Sequence, residues 1–132
     1  VVRKALQKSD SNLKLWTPVS GEHVSDGKST DFKAHVDVIN LKILSAKDVP
    51  KLDRIVDRAQ KLFPGKSIVV TCPLWDHASQ APMPLSVLKQ QWNRVLDYVQ
   101  GGRISGYVIF ASFLIDSVQE QARWVRGFIA AN

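Results

Sequence analysis

Apolar, β-branched runs alternate with helical segments four times along this chain, and that alternation restricts the fold more than any other feature. Leu13 to Val19, Val36 to Leu44, Ser67 to Cys72 and Gly106 to Ile115 read as strands. The second of them, VDVINLKIL, is apolar nearly throughout, as expected of a strand buried on both faces. Ser45 to Phe63 is the clearest helix: Val49, Leu52, Ile55, Val56, Ala59, Leu62 and Phe63 recur at helical spacing. Asp48 can cap it, Pro50 sits in its first turn where a missing N–H costs nothing, and Pro64-Gly65 stops it. Pro84 opens a further helix with Leu88, Trp92, Val95, Leu96 and Val99 on its apolar face, closed by Gly101-Gly102. Ser117 caps a final one, with Val118, Ala122, Val125 and Ile129 in register. Between these elements, Gly21 to Thr30 is polar and loop-like, with a helical turn near Asp31 to Ala34, and Trp75 to Pro84 reads as an irregular connection. Val1 to Lys8 resembles the last turns of a helix, with Val2 and Leu6 on one face.

Strands that alternate with helices imply an α/β domain with a parallel sheet and right-handed crossovers. No linker or low-complexity stretch interrupts residues 1–132, so a single domain is expected. Four consecutive βα units can be arranged in two ways. They can form half of a (β/α)8 barrel, curved, with helices on one side. Alternatively they wind into a small open flavodoxin-like sheet with helices on both faces. A chain that starts on the end of a helix and then runs through four βα units favours the C-terminal half of a barrel.

Composition narrows the partners. The 132 residues are 45% hydrophobic and 23% charged, values of a globular chain. A single cysteine, Cys72, allows no internal disulfide and offers no metal-site spacing. No apolar run approaches the roughly 18 residues of a membrane span. The N-terminus lacks the plan of a signal peptide, so any targeting segment is expected to be absent or already removed. The formal charge of +6 raises the question of nucleic acid. The basic residues are scattered, however: Lys47, Lys51, Arg54, Arg58 and Lys61 alternate with Asp48, Asp53 and Asp57, which is the pattern of a solvated helix face. Nucleic acid is therefore not the expected partner, and the composition leaves the compartment open.

The stretch PGKSIVVTCPLWDHASQAPMPLSVLKQQW, followed by GGRISGYVIFASFLID and the ARWVRGFI helix, resembles the C-terminal part of a bacterial family of glycoside-hydrolase-like TIM barrels. The likeness covers roughly residues 36–130 and is strongest from Pro64 to Asp116. It carries over Trp75-Asp76, Met83-Pro84-Leu85, Gln91, Arg103-Ile104, Ser112 and Asp116. Near the end of the second strand, where the resemblance leads one to expect a tryptophan, this chain has Leu41-Lys42. The resemblance implies a barrel fragment related to carbohydrate-active proteins, with a carbohydrate as its ligand.

In parallel α/β proteins the chemistry collects where the strands' C-terminal ends meet the following loops. The first strand delivers Glu22 and His23 to that rim, the third Cys72, Trp75, Asp76 and His77, and the fourth Ser112 and Asp116. If Asp76 and Glu22 faced each other across a cleft, the pair could support glycoside hydrolysis, because that reaction needs one protonated and one ionised carboxyl group. Trp75, His77, His23 and Asp116 would then line the substrate. Each residue also has a plainer role. Asp76 ahead of Ala78-Ser79 is the kind of residue that turns a chain, and Asp116 before Ser117 suits a helix start. Trp75 can stack on a sugar or cover the end of the sheet. Trp92 belongs to a helix core face, Trp124 packs from its helix, and Trp16 within the first strand reads as core. Three histidines without a recognised spacing point to no metal. A thiol at a buried strand end, as Cys72 is, is usually inert. Pro64-Gly65-Lys66-Ser67 imitates a phosphate loop but has Gln60 where the first glycine belongs and precedes a strand, so it is a helix stop. No cofactor is expected.

The leading expectation is thus a glycoside-hydrolase-like half barrel. Its alternative is a non-catalytic module that binds a ligand or partner through the Trp75-to-Met83 loop. A half barrel exposes two sheet edges and a concave face, expected to carry Val38, Val70 and Ile109 or their neighbours, so a homodimer is the expected assembly.

Overall fold

A computed structural model describes residues 4, 8, 12–26, 31–110 and 119–132. Strands β1 (Trp16–Ser20), β2 (Val38–Lys42), β3 (Ser67–Pro73) and β6 (Gly106–Phe110) form one four-stranded parallel sheet in the order β1-β2-β3-β6. Helices α1 (Gly21–Asp26), α2 (Leu52–Leu62), α3 (Leu85–Gln100) and α4 (Gln119–Ala131) complete an α/β arrangement. Two 3-10 segments, Asp31–His35 and Ala46–Lys51, lead into β2 and α2. Neither β1 nor β6 has an outer neighbour among the described residues. An open sheet and an arc of a barrel are both built this way.

The α/β alternation expected from the sequence is present, with local differences. The stretch after β1 is not a loop: Gly21–Asp26 is a helix, started by the Ser20 hydroxyl, which accepts the His23 backbone N–H at 3.1 Å. Its anchor is Val24, which is fully buried. Gly21 lets this helix approach α2, since a Cβ there would stand 3.0 Å from the end of the Ile55 side chain. The Ser45–Phe63 helix begins as a 3-10 turn containing Pro50, and Asp48 accepts a hydrogen bond from Lys51 at 2.9 Å instead of capping. Gly65, with φ +73°, takes the left-handed turn that sends the chain from α2 into β3. The connection from Trp75 to Pro82 is a small antiparallel hairpin of β4 (Trp75–Asp76) and β5 (Ala81–Pro82). The proposed N-terminal helix and Ser117 lie largely or wholly outside the described residues.

Strand register sorts the side chains into two faces. Val19, Leu41, Val70 and Tyr107 form one row, and Ser20, Lys42, Thr71 and Val108 form the next. Successive rows point to opposite sides of the sheet. Ile39, Leu41, Ile43, Ile68, Val70 and Cys72 join Leu52, Val56, Leu88, Trp92 and Val125 in one core, so α2, α3 and α4 pack on the same face. Of the residues expected on a concave face, Val38 and the neighbours Val69 and Val108 lie on the side opposite the helices, and Val70 and Ile109 themselves do not. Val70 and Ile109 have the parity of Leu41 and pack toward the helices, whereas Val38 has the parity of Lys42 and lies on the opposite face. Trp16 also departs from the expectation of a core residue. It is 50% exposed, because it shares the parity of Val38 on an edge strand.

The core predicts the cost of truncation. Leu88 is fully buried and Ile55 is 3% exposed, on facing helices of the one core. Leu88→Ala and Ile55→Ala should each lower unfolding stability by about 2–5 kcal/mol in urea titrations. A loss under about 0.5 kcal/mol, typical of surface sites, would contradict this packing.

Candidate ligand site at the C-terminal ends of the strands

The face opposite the helices changes character along the strands. Its first row carries Trp16 and Val38, the next sets Asn40 beside Val69, and toward the C-terminal ends follow Ser20, Lys42 and Thr71 and then Phe110. The Thr71 hydroxyl donates to the Asn40 side-chain oxygen at 2.7 Å. The Lys42 ammonium stands 5.6 Å above the Phe110 ring, and the His77 ring centroid lies 5.5 Å from it on the hairpin side. Lys42 and Phe110 are half-buried, while His77 is exposed. This cluster occupies the strand ends at which parallel sheets place their ligands.

Asp76 fixes the loop that brings His77 there. It is 5% exposed. One carboxylate oxygen accepts the Ala78 N–H at 3.0 Å and the Ala46 N–H at 3.3 Å, and the other accepts the Ser79 hydroxyl at 2.8 Å. Burial alone would push this carboxyl up. The hydrogen bonds from Ser79, Ala78 and Ala46 outweigh it and hold the group below the ordinary carboxylate value. Asp76 thereby ties the hairpin to the segment after β2, a tie doubled by the His77 N–H donating to the Leu44 carbonyl at 3.1 Å. Gln80 closes the turn at φ 52°, its side chain donating to the His77 carbonyl at 2.8 Å.

The remaining expected site residues are dispersed. Glu22 lines a separate cavity of about 410 Å³ with Lys47, Asp48, Lys51 and Arg54, and Asp76 does not line it. His23 is exposed on α1. Trp75 is half-buried and packs against the core. Asp116 lies outside the described residues. Burial pushes the Cys72 thiol up, away from the nucleophilic thiolate. Among the described residues no group of three His, Cys, Asp or Glu side chains could hold a metal ion, and no helix is long and apolar enough to cross a membrane.

Asn40, Lys42 and Phe110 were not singled out from the sequence. For the first two a signal existed: they stand two residues apart in an otherwise apolar strand, and that spacing puts both on one face. A second unanticipated cluster lies on the outer surface, where Asp53 of α2 accepts from Arg94 and Tyr98 of α3, and Arg103 pairs with Asp57. The hydrogen bond from Tyr98, with the charges of Arg94 and Arg103, outweighs burial and holds Asp53 below its ordinary value. Burial and the Asp53 contact push Tyr98 up to about 12. This network joins two helices and the turn before β6, far from the strand ends. Comparison with protein-family models, curated proteins and solved structures gives no match.

The Asp76 geometry predicts acid sensitivity. Its folded pKa lies below the unfolded value near 3.9, so its contribution to stability is complete above that value and is lost as pH falls through the folded one. Asp76→Ala should cost about 1–3 kcal/mol at pH 7, because it leaves the Ala46 and Ala78 N–H groups without their acceptor. The variant's urea midpoint should also fall less steeply than that of the wild type between about pH 5 and pH 2. Parallel pH profiles would refute the assignment.

Proposed function

We propose that this chain is the C-terminal half of a glycoside-hydrolase-like barrel that holds a carbohydrate at the C-terminal ends of β2, β3 and β6, and that these residues bind without supplying an acid/base pair. The observation that carries this reading is the change along the face opposite the helices, from Trp16 and Val38 through the mixed row of Asn40 and Val69 to Ser20, Lys42 and Thr71, with Phe110 beyond them. A barrel interior has this character: packed side chains below, polar groups at the mouth. The strand order supports the architecture, since it never reverses as a doubly wound sheet does, and one core gathers the helices on one side. Against an acid/base pair stands the engagement of Asp76 by three hydrogen-bond donors, with Glu22 in a cavity that Asp76 does not line.

A half barrel also needs its edges covered. Large apolar side chains stand exposed at both: Leu13 and Trp16 beside β1, Tyr107 of β6 and Ile129 of α4 at the other. In this reading a second copy supplies the missing strands, with β6 of each protomer beside β1 of its partner around a two-fold axis.

Two measurements test the proposal. Sedimentation equilibrium at micromolar concentration should give twice the 14.8 kDa mass of the chain; a single species at that mass without concentration dependence overturns the dimer. Titration of the isotopically labelled chain with a panel of neutral and acidic monosaccharides should shift the NMR signals of Lys42, Thr71, His77 and Phe110. His77→Ala, at an exposed position, should leave stability within about 0.5 kcal/mol and weaken binding about ten-fold through one lost hydrogen bond. Absence of any sugar-dependent shift at these residues would overturn the ligand assignment.

A further inference from the structure

We infer that the ligand of this site is an anionic sugar, one that presents a carboxylate or phosphate group to Lys42 from a hydroxylated ring. The inference rests on the ligand site proposed above and adds the charge that the site selects. Lys42 sits on a central strand, half-buried, flanked in its row by Ser20 and Thr71. An ammonium drawn out of water is normally matched by a carboxylate. Here none is present: among the described residues Lys42 forms no ion pair, and no strand residue of the same parity in β1, β2, β3 or β6 is Asp or Glu. The electron-rich face of Phe110 is the only group that the described structure sets against the charge.

Asp76, which adjoins His77, forms no ion pair with Lys42 among the described residues. Both of its oxygens are committed to Ala46, Ala78 and Ser79. The cluster therefore offers a cation with three donors and no acceptor, the half-buried Asn40 amide, whose oxygen already accepts from the buried Thr71 hydroxyl, and the exposed imidazole of His77. A neutral sugar would leave the ammonium uncompensated, whereas an acidic one would meet it in a charge-assisted hydrogen bond. The chain's net charge of +6 favours approach of the same sign of ligand.

Calorimetric titration of the full chain with glucuronate, glucose 6-phosphate, glucose and inorganic phosphate tests the inference. At least one acidic sugar should bind ten-fold or more tightly than glucose, and comparison of the two identifies the acidic group. Lys42→Gln should abolish that margin, Lys42→Arg should keep it, and Lys89→Gln, at an exposed position on α3, should not change it. Circular dichroism of each variant controls for folding, and the wild-type comparison stands without any variant. Equal affinity for glucose and both acidic sugars overturns the anion selectivity while leaving the carbohydrate reading in place. Binding of inorganic phosphate as tight as that of glucose 6-phosphate, with no response to glucose or glucuronate, overturns the carbohydrate reading and keeps the anion site. Failure of all four probes to bind overturns both.

Discussion

The pairing of β2 with β3 sets the register on which both the core and the candidate site depend. Leu41 lies beside Val70 and both are fully buried under the helices, with Ile39 and Ile68 one pleat below. Each such side chain contributes about 1.5–3 kcal/mol by leaving water, so the helix-facing rows resist any shift. A slip of one residue would turn Asn40 and Lys42 into that core and bring Val38 and Leu41 out of phase with their partners. The same register that buries Leu41 therefore delivers Lys42 to the opposite face. Fold and site are coupled at adjacent positions of one strand.

The loops then determine what stands around Lys42. The hairpin after β3 is short, and the hydrogen bonds accepted by Asp76 lock it against the 3-10 segment that follows β2. His77 is carried by this locked turn, its own N–H bound to Leu44, and so its ring meets Phe110 from a backbone with little freedom. Asp76 thus acts on the site by position. Its two oxygens hold the scaffold, and the exposed residue next to it stands against Phe110.

Much of this architecture was legible because helical and strand periodicities differ. The apolar faces of α2 and α3 followed from spacing alone, and Leu52, Ile55, Val56, Ala59, Leu88 and Val95 are all buried. What escaped were features that periodicity does not encode. In SIVVTC both faces of the strand are apolar, so nothing local says whether Val69 or Val70 faces the helices; the neighbouring strands decide it. Trp16 looked like core because of its size, but edge position and parity leave it half exposed. Gly21–Asp26 is too polar to be read as a helix, and it exists because Ser20 caps it and Val24 finds the core. Asp76 was legible in residue and in both candidate roles. Choosing between them required seeing which N–H groups surround it.

Charge separates the two kinds of chemistry that a rim like this can support. Glycoside hydrolysis requires a carboxyl group kept protonated beside one kept ionised, and burial without donors is what raises the first. Asp76 has burial with donors on both oxygens, and the donors prevail. The described rim therefore lacks the raised acid at the one buried carboxylate it contains, and it places a cation, Lys42, on the face opposite the helices instead. If eight strands surround this face and the proposed reading holds, the loops described here would contribute recognition, and a proton donor would come from elsewhere on the rim. That division follows from geometry. A binding cation gains from being fixed on a central strand against an aromatic ring, whereas an acid of raised pKa has to be kept away from donors such as those that Ala46, Ala78 and Ser79 present on this side.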